Sequence, residues 1–149
     1  MPKIDQRDLI WGLPHLFVKT FRDITIQKTY EMGQIVFHEG EKASFFYTLI
    51  QGSVKLSIGE TGQEVYIVDQ AGEVFGWSSL MDRRHYSASA QCLEPTKLLL
   101  IEKEKLERLL NSDPANGMVF YKNLSQTLGN RLLKSYKIIS EARRLERQY

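Results

Sequence analysis

Apolar and polar residues alternate through the middle of the chain, from about residue 23 to residue 102. The clearest alternating apolar positions are Ile24, Ile26, Val36, Leu49, Val54, Leu56, Ile58, Val65 and Ile67. Turn signals with glycine separate these runs, at Gly33, Gly40, Gly52, Gly59, Gly62 and Gly72. Two later runs, Ser87–Cys92 and Lys97–Ile101, are expected to pair through a turn at Glu94–Pro95. This pattern predicts a mainly β fold with flanking helices, a double-stranded β-helix of the jelly-roll-like β-roll kind.

Helical periodicity flanks the alternating region on both sides. Short helices are expected within residues 1–22, and another is expected at the start of the segment 103–149. Asp113 and Pro114 then suit the N-cap and the first turn of a new, long helix, since no proline follows. An apolar residue recurs every four positions along this helix, at Phe120, Leu124, Leu128, Leu132 and Tyr136. We expect this row to form the seam of a homodimer.

The 149 residues are predicted to form one domain, with N-terminal helices (1–22), a β-roll (23–102) and C-terminal helices (103–149). The longest aliphatic run, Leu98–Ile101, is far too short to cross a bilayer, and the N-terminus lacks the apolar core of a signal peptide. The single cysteine, Cys92, excludes an internal disulfide. These features predict a cytoplasmic protein with no membrane partner.

One segment has the composition of an anion-binding loop. Ala71–Gln91 reads AGEVFGWSSLMDRRHYSASAQ and contains two glycines, the pair Ser78–Ser79 and the pair Arg83–Arg84. Glycine lets the backbone approach an anion closely, and backbone N–H groups can donate to it. The loop therefore indicates a site for a small anion, within residues 72–90.

The chain resembles the cyclic nucleotide-binding domain family, as found in bacterial regulators of the catabolite-activator type. The resemblance lies in MGQIVFHEGEKASFFYTLIQGSVKLSI (Met32–Ile58), in AGEVFGW (Ala71–Trp77) and in LLLIEKEKLERLL (Leu98–Leu110). It implies a β-roll sensor domain with a phosphate-binding cassette and a long C-terminal helix. It also implies a non-enzymatic role in signal transduction, with a cyclic nucleotide or another small anion as the ligand.

Two positions depart from the pattern of family members that bind cyclic AMP. Trp77 stands where those members have a glutamate, and Tyr86 stands where they have an arginine. Loss of a bidentate, charge-assisted contact costs a few kcal/mol, or about two orders of magnitude in affinity. Strong binding of cyclic AMP is therefore not expected, unless Arg83, Arg84 or Arg131 replaces the missing arginine.

The predicted ligand-binding set combines the cassette with one residue of the long helix. Gly76, Ser78 and Ser79 are expected to donate to an anion, with a hydroxyl from Ser87 and flat walls from Trp77 and Tyr86. Thr127 and Asn130 are further candidates on the helix by their spacing. The full set is Phe75, Gly76, Trp77, Ser78, Ser79, Leu80, Arg84, Tyr86, Ser87, Ala88 and Arg131. An open alternative is that Trp77 and Tyr86 fill the cavity and leave no ligand site.

Other functions are less consistent with the residues. A metal-dependent jelly-roll enzyme needs several converging ligands, and the chain has only His15, His38 and His85, so no metal is expected. Cys92 lies among small residues on a predicted strand, where a buried, inert thiol is usual. The net charge of +2 does not indicate a nucleic-acid partner, and the segment up to Tyr149 leaves no room for a helix-turn-helix domain. A ligand-free dimerisation or interaction module, and the sensor half of a transcription regulator, remain open.

Overall fold

The computed structural model describes residues 7–81 and 83–148. Helix α1 (Arg7–Ile10) and helix α2 (His15–Asp23) precede the sheets. Helix α2 buries Phe17 and Phe21 on one face, which holds it against the body of the protein. The part of the predicted N-terminal helices at residues 1–6 lies outside the described residues.

Eight strands form two four-stranded antiparallel sheets that face each other, which confirms the predicted fold class. One sheet has the order β1-β8-β3-β6 and the other has the order β2-β7-β4-β5. The strands are β1 (Thr25–Tyr30), β2 (Ile35–Phe37), β3 (Phe45–Gln51), β4 (Val54–Ile58), β5 (Gln63–Val68), β6 (Val74–Phe75), β7 (Ser89–Cys92) and β8 (Thr96–Glu102). A 3₁₀ turn (Trp77–Leu80) follows β6.

The predicted pairing of the last two strands is wrong. Strand β7 pairs with β2 and β4, whereas β8 pairs with β1 and β3 in the opposite sheet. The turn at Glu94–Pro95 therefore carries the chain from one sheet to the other. In the sheet order, β8 lies between β1 and β3, and β7 lies between β2 and β4.

Two hydrophobic cores stabilise the fold. The first lies between the sheets and is rich in aromatic rings, with Phe37, Tyr47, Phe75 and Tyr86 among its members. The second lies between the sheet of β1, β3, β6 and β8 and the helices, and includes the fully buried Phe120. The sheet of β1, β3, β6 and β8 separates the two cores, so neighbouring residues of β6 face different cores, Phe75 the first and Val74 the second.

The C-terminal helices are α3 (Lys103–Ser112) and α4 (Pro114–Arg147). Asp113 caps α4, because its carboxylate accepts from the backbone N–H of Asn116 at 3.4 Å. At 34 residues, α4 is the long C-terminal helix that the sequence predicts, and its last turns extend past the β-roll with exposed side chains. Among residues 7–81 and 83–148, no helix combines the length and apolarity needed to span a membrane.

Candidate functional site

The predicted cassette segment, residues 72–90, turns at a glycine that the packing requires. Gly76 adopts a left-handed φ of 71° between β6 and the 3₁₀ turn. A Cβ atom at this position would lie 2.8 Å from Cδ2 of Tyr47 and 3.2 Å from the carbonyl oxygen of Phe45. The backbone therefore turns here directly against the aromatic core, and only glycine fits without a shift of the Tyr47 ring.

A cavity of about 280 Å³ lies between the cassette, strands β4 and β5, and helix α4. Apolar and aromatic side chains form most of its walls, namely Phe37, Leu56, Ile58, Val65, Tyr66, Trp77, Tyr86 and Ala88. Gly76 and the hydroxyl residues Ser78, Ser87 and Ser135 also line it, together with Arg131. Arg131 is the one charged residue among these lining residues. The cavity is thus a largely apolar chamber with a single cation.

The structure brings most of the predicted ligand-binding residues to this cavity. The seven that line it are Gly76, Trp77, Ser78, Tyr86, Ser87, Ala88 and Arg131. Ser78 and Ser87 meet there, with their hydroxyl oxygens 3.5 Å apart. Trp77 packs partly against the helix-side core and presents the rest of its surface to the cavity.

Four predicted residues lie outside the cavity. Phe75 is fully buried and stacks on Tyr47, with ring centroids 5.0 Å apart. Ser79 is also fully buried, and its hydroxyl donates to the carbonyl oxygen of Gly76 at 2.9 Å, so it cannot also face a ligand. Leu80 packs against the helix-side core.

Arg84, the fourth, belongs to a different surface. Its side chain is exposed and lines a cleft with Lys42, His85 and Glu102, away from the cavity. Its carbonyl oxygen accepts from the backbone N–H of Ala43 at 2.9 Å, which fixes the loop in this position. The structure therefore does not bring Arg84 to the cavity, and Arg83 is exposed as well.

Tyr86 is fixed in the cavity wall by its ring and its hydroxyl. The ring stacks on Phe37 with centroids 3.8 Å apart and an interplanar angle of 16°. The hydroxyl donates to the carbonyl oxygen of Phe45 at 2.8 Å and accepts from the Phe45 N–H at 3.0 Å. Burial raises the pKa of Tyr86. Tyr86 therefore supplies a flat, neutral wall with no polar group left for a ligand.

Arg131 reaches the cavity from α4 and is only partly paired. Its Nη2 donates to the carbonyl oxygen of Val74 and lies 4.0 Å from a carboxylate oxygen of Glu73. Its guanidinium carbon lies 4.7 Å from the centroid of the Tyr66 ring, in cation–π range. Its side chain is 12% exposed, and burial lowers its pKa, while Tyr66 and Glu73 act in the opposite direction.

Two nitrogens of this guanidinium have no hydrogen-bond partner among the described residues. They are Nε and Nη1 of Arg131, and both are buried. A buried cation with unused donors is costly, because each unpaired donor has lost its water. An anion that reached them would remove this cost.

Glu73 is a functional candidate that the sequence reasoning missed. One carboxylate oxygen accepts from the hydroxyl of Tyr66 at 2.5 Å, and the other accepts from the backbone N–H groups of Asp69 and Gln70 at 3.1 and 3.0 Å. Burial and this carboxylate raise the pKa of Tyr66 to about 12. Glu73 thereby holds both Tyr66 and Arg131 at the rim of the cavity.

Other lining residues were also absent from the predicted set, namely Phe37, Leu56, Ile58, Val65, Tyr66 and Ser135. A signal existed for Ser135, because it lies four residues after Arg131 and so shares its helix face. Thr127 and Asn130 lie instead along a neighbouring cleft of about 400 Å³ on the other side of Tyr66 and Arg131.

The predicted dimer seam is only partly exposed, and this corrects the expectation. Phe120 and Leu124 are buried in the chain's own helix-side core, and Leu128 packs against the same core. Leu132 and Tyr136 are 51% and 55% exposed. The apolar face that α4 leaves open, called here the exposed stripe, consists of Met118, Tyr121, Leu132, Tyr136 and Ile139.

Groups for metal or thiol chemistry do not assemble in the described parts of the chain. No cluster of three or more His, Cys, Asp or Glu side chains occurs within residues 7–81 and 83–148. Cys92 is buried in the inter-sheet core, and burial raises the pKa of its thiol.

Comparison with known proteins agrees with the fold. Residues 27–113 match the family model described as the cyclic nucleotide-binding domain. The chain is 31% identical over 109 residues to a global nitrogen regulator of Nostoc sp. strain PCC 7120, which covers 69% of this chain and 48% of the regulator. It is 30% identical over 108 residues to a cyclic AMP receptor protein of Thermus thermophilus, which covers 71% of this chain and 48% of that protein. The chain thus spans about half the length of these relatives.

The fold is shared with solved structures of the same kind. A protein of Geobacter metallireducens GS-15, named for cyclic nucleotide binding, superimposes with a TM-score of 0.76 at 26% identity, over 89% of this chain and 99% of that one. The catabolite activator protein of Thermus thermophilus superimposes with a TM-score of 0.70 at 27% identity, over 91% of this chain and 62% of that one.

Proposed function

Because the chain belongs to the cyclic nucleotide-binding domain family, we propose that it is a non-enzymatic regulatory domain that senses a small anionic ligand. The ligand binds in the cavity between the cassette and α4. The observation that carries this proposal is the buried guanidinium of Arg131, which lines the cavity and has two nitrogens without a partner among the described residues. A concave, largely apolar chamber with one cationic group is a typical ligand site.

The ligand need not be cyclic AMP. The two charged anchors of the cassette are replaced by Trp77 and Tyr86, and the Tyr86 hydroxyl is occupied by the backbone of Phe45. The cation available for an anion comes from the helix instead. We therefore propose that cyclic AMP binds weakly and that a different anion is the preferred effector.

Ligand binding can change the state of α4, because Arg131 and Ser135 belong to this helix. An anion that takes the guanidinium from Val74 and Glu73 would favour one position of α4 over another. A ligand shifts such an equilibrium only by the difference in its affinity for the two states. The effect of the ligand is then transmitted by α4 to the partner that covers its exposed stripe.

A thermal-shift titration tests the proposal. The panel comprises cyclic AMP, cyclic GMP, cyclic dinucleotides and simple anions, each against the wild type and Arg131→Gln. We expect one or more anions to stabilise the wild type and to lose this effect in the variant, with only a weak effect of cyclic AMP. Strong stabilisation by submillimolar cyclic AMP would contradict the interpretation of Trp77 and Tyr86.

A second candidate function is a dimerisation module, and the exposed stripe favours it. Leu132, Tyr136 and Ile139 lie on one face of α4 with more than half of their surface in solvent. We propose that a second copy of the chain covers them. Light scattering should give a dimer for the wild type and for Gln126→Glu, which changes charge on another face, and a monomer for Leu132→Glu. If the wild type is monomeric at micromolar concentration, this seam does not exist. If the wild type is dimeric and no ligand stabilises it, a dimerisation module without a ligand becomes the better proposal.

A further inference from the structure

The polar groups that the cavity offers define a narrow class of ligand. Apart from Arg131, the polar side chains with free capacity are the hydroxyls of Ser78 and Ser87, which lie within reach of each other. The hydroxyl of Ser135 donates to the carbonyl oxygen of Arg131 at 3.1 Å and can only accept from a ligand. The hydroxyl of Tyr66 is held by Glu73 and that of Tyr86 by Phe45. Few side-chain partners are therefore left for a ligand that carries many polar atoms.

A nucleotide carries more hydrogen-bonding groups than this inventory satisfies. It brings a charged phosphate, a sugar hydroxyl and several base heteroatoms, and each of these loses water on binding. A polar group that is desolvated without a partner weakens binding. The carboxylate of Glu73 does not line the cavity, so no acid there accepts from a sugar hydroxyl.

The remaining walls suit an apolar body. Leu56, Ile58 and Val65 form one side, and the rings of Tyr66 and Trp77 offer flat surfaces. The volume of about 280 Å³ lies just below the usual range of about 300–1,000 Å³ for ligand pockets. A compact molecule with one anionic head and an apolar or aromatic body matches both the walls and the size.

The hydrogen-bond donors of Arg131 indicate the chemical class of the ligand's anionic head group. The N–H of Nε, which has no partner, shares an edge of the planar guanidinium with Nη2, which donates to the Val74 carbonyl. A carboxylate that displaces this carbonyl pairs with the edge through two parallel hydrogen bonds. Nε and Nη1 are buried, so the side chain must turn before a ligand can reach them. The guanidinium also stays close to Tyr66, whose neutral ring it already faces.

We propose that the effector is a small monocarboxylate with an apolar or aromatic body, its carboxylate paired with Arg131 and its body packed between Trp77, Tyr66 and Leu56. This inference rests on the proposed ligand-sensing function and names the class of ligand for that same cavity. Aromatic and aliphatic acids share the chemistry that Arg131 recognises, and the shape of the cavity decides between them.

Isothermal titration calorimetry on the full chain tests the class. The probes are phenylacetate, indole-3-acetate and octanoate, each with its neutral amide, together with cyclic AMP and inorganic phosphate. At least one acid should bind about tenfold or more tightly than its amide, because only the acid makes charge-assisted bonds. This comparison uses the wild type alone, so it does not depend on whether a variant folds.

Two variants locate the effect. Arg131→Gln should reduce the acid to the affinity of its amide, and Arg84→Gln, which changes an arginine outside the cavity, should leave both affinities unchanged. If the acids bind no better than their amides while a nucleotide or phosphate binds through Arg131, the carboxylate class is refuted and the sensing function stands. If none of the probes binds, both proposals fail. If acids bind equally well to Arg131→Gln, the assigned receptor group is wrong.

Discussion

The replacement of Tyr86 by phenylalanine isolates the role of its hydroxyl in the cassette wall. The ring would keep its stacking on Phe37, since the centroid distance of 3.8 Å does not involve the oxygen. The hydroxyl makes two hydrogen bonds to one residue, as donor to the Phe45 carbonyl at 2.8 Å and as acceptor from the Phe45 N–H at 3.0 Å. Tyr86→Phe therefore removes two bonds and almost no packing.

The magnitude follows from the burial of this contact. Tyr86 is only 5% exposed, so water does not easily replace the lost partner of the Phe45 backbone. Each hydrogen bond contributes about 0.5–1.5 kcal/mol, and an unsatisfied buried group costs about 1–3 kcal/mol. We expect a loss of about 2 kcal/mol in the free energy of unfolding. For a chain of this size, this corresponds to a decrease of roughly 4–8 °C in Tm.

Urea denaturation at one fixed protein concentration measures this change, because a dimer would make stability depend on concentration. Thr29→Val is the matched control, since it also removes a hydroxyl, but from a side chain that is exposed on β1. We expect the control to change the free energy of unfolding by less than about 0.5 kcal/mol. If Tyr86→Phe were as mild as the control, the hydroxyl would not anchor the wall, and Tyr86 would be free to move for a ligand.

Three further changes test the surroundings of the cavity. Gly76→Ala should cost about 1–3 kcal/mol in urea denaturation, and Gly59→Ala, with a similar φ and open space around its Cα, should cost less. Above about pH 10 the unfolded chain releases the Tyr66 proton, while the folded form keeps it to about pH 12, so stability should fall as pH rises and Tyr66→Phe should flatten this slope. An unchanged slope would contradict the assignment of that pKa. Glu73→Gln should lose about 1–3 kcal/mol by weakening the contacts to Asp69, Gln70 and Arg131, with the exposed Glu64→Gln as a near-neutral control.

The β-roll could be predicted from sequence because its signal is local. A period of two and closely spaced glycine turns specify strands one at a time. The partner of a strand is not a local property, and this explains the error over β7 and β8. A turn with proline between two apolar runs is common in hairpins, but it also suits a corner where the chain passes to the opposite sheet. Only the pairing of all the strands together decides between the two.

The error in the dimer seam has a geometric cause. An α-helix has 3.6 residues per turn, so a row with a strict spacing of four advances by about 40° at each step. From Phe120 to Tyr136 the row turns by about 160°, nearly half of the helix circumference. Its first members consequently face the chain's own core, and its last members face solvent. A spacing that alternates between three and four keeps to one face, as in Leu132, Tyr136 and Ile139.

The same helix geometry shows which part of the site could be predicted from the sequence. Arg131 lies eleven residues after Phe120 and seven after Leu124, so it shares their buried face of α4. A cation on a core-facing stripe needs a partner or a function, because an isolated buried charge is strongly unfavourable. That conflict was visible without the structure. The groups that contact Arg131 could not be predicted, since Glu73, Tyr66 and the Val74 carbonyl approach it only when the two sheets come together. The two nitrogens of Arg131 that these groups leave unpaired carry the assignment of a ligand to the cavity.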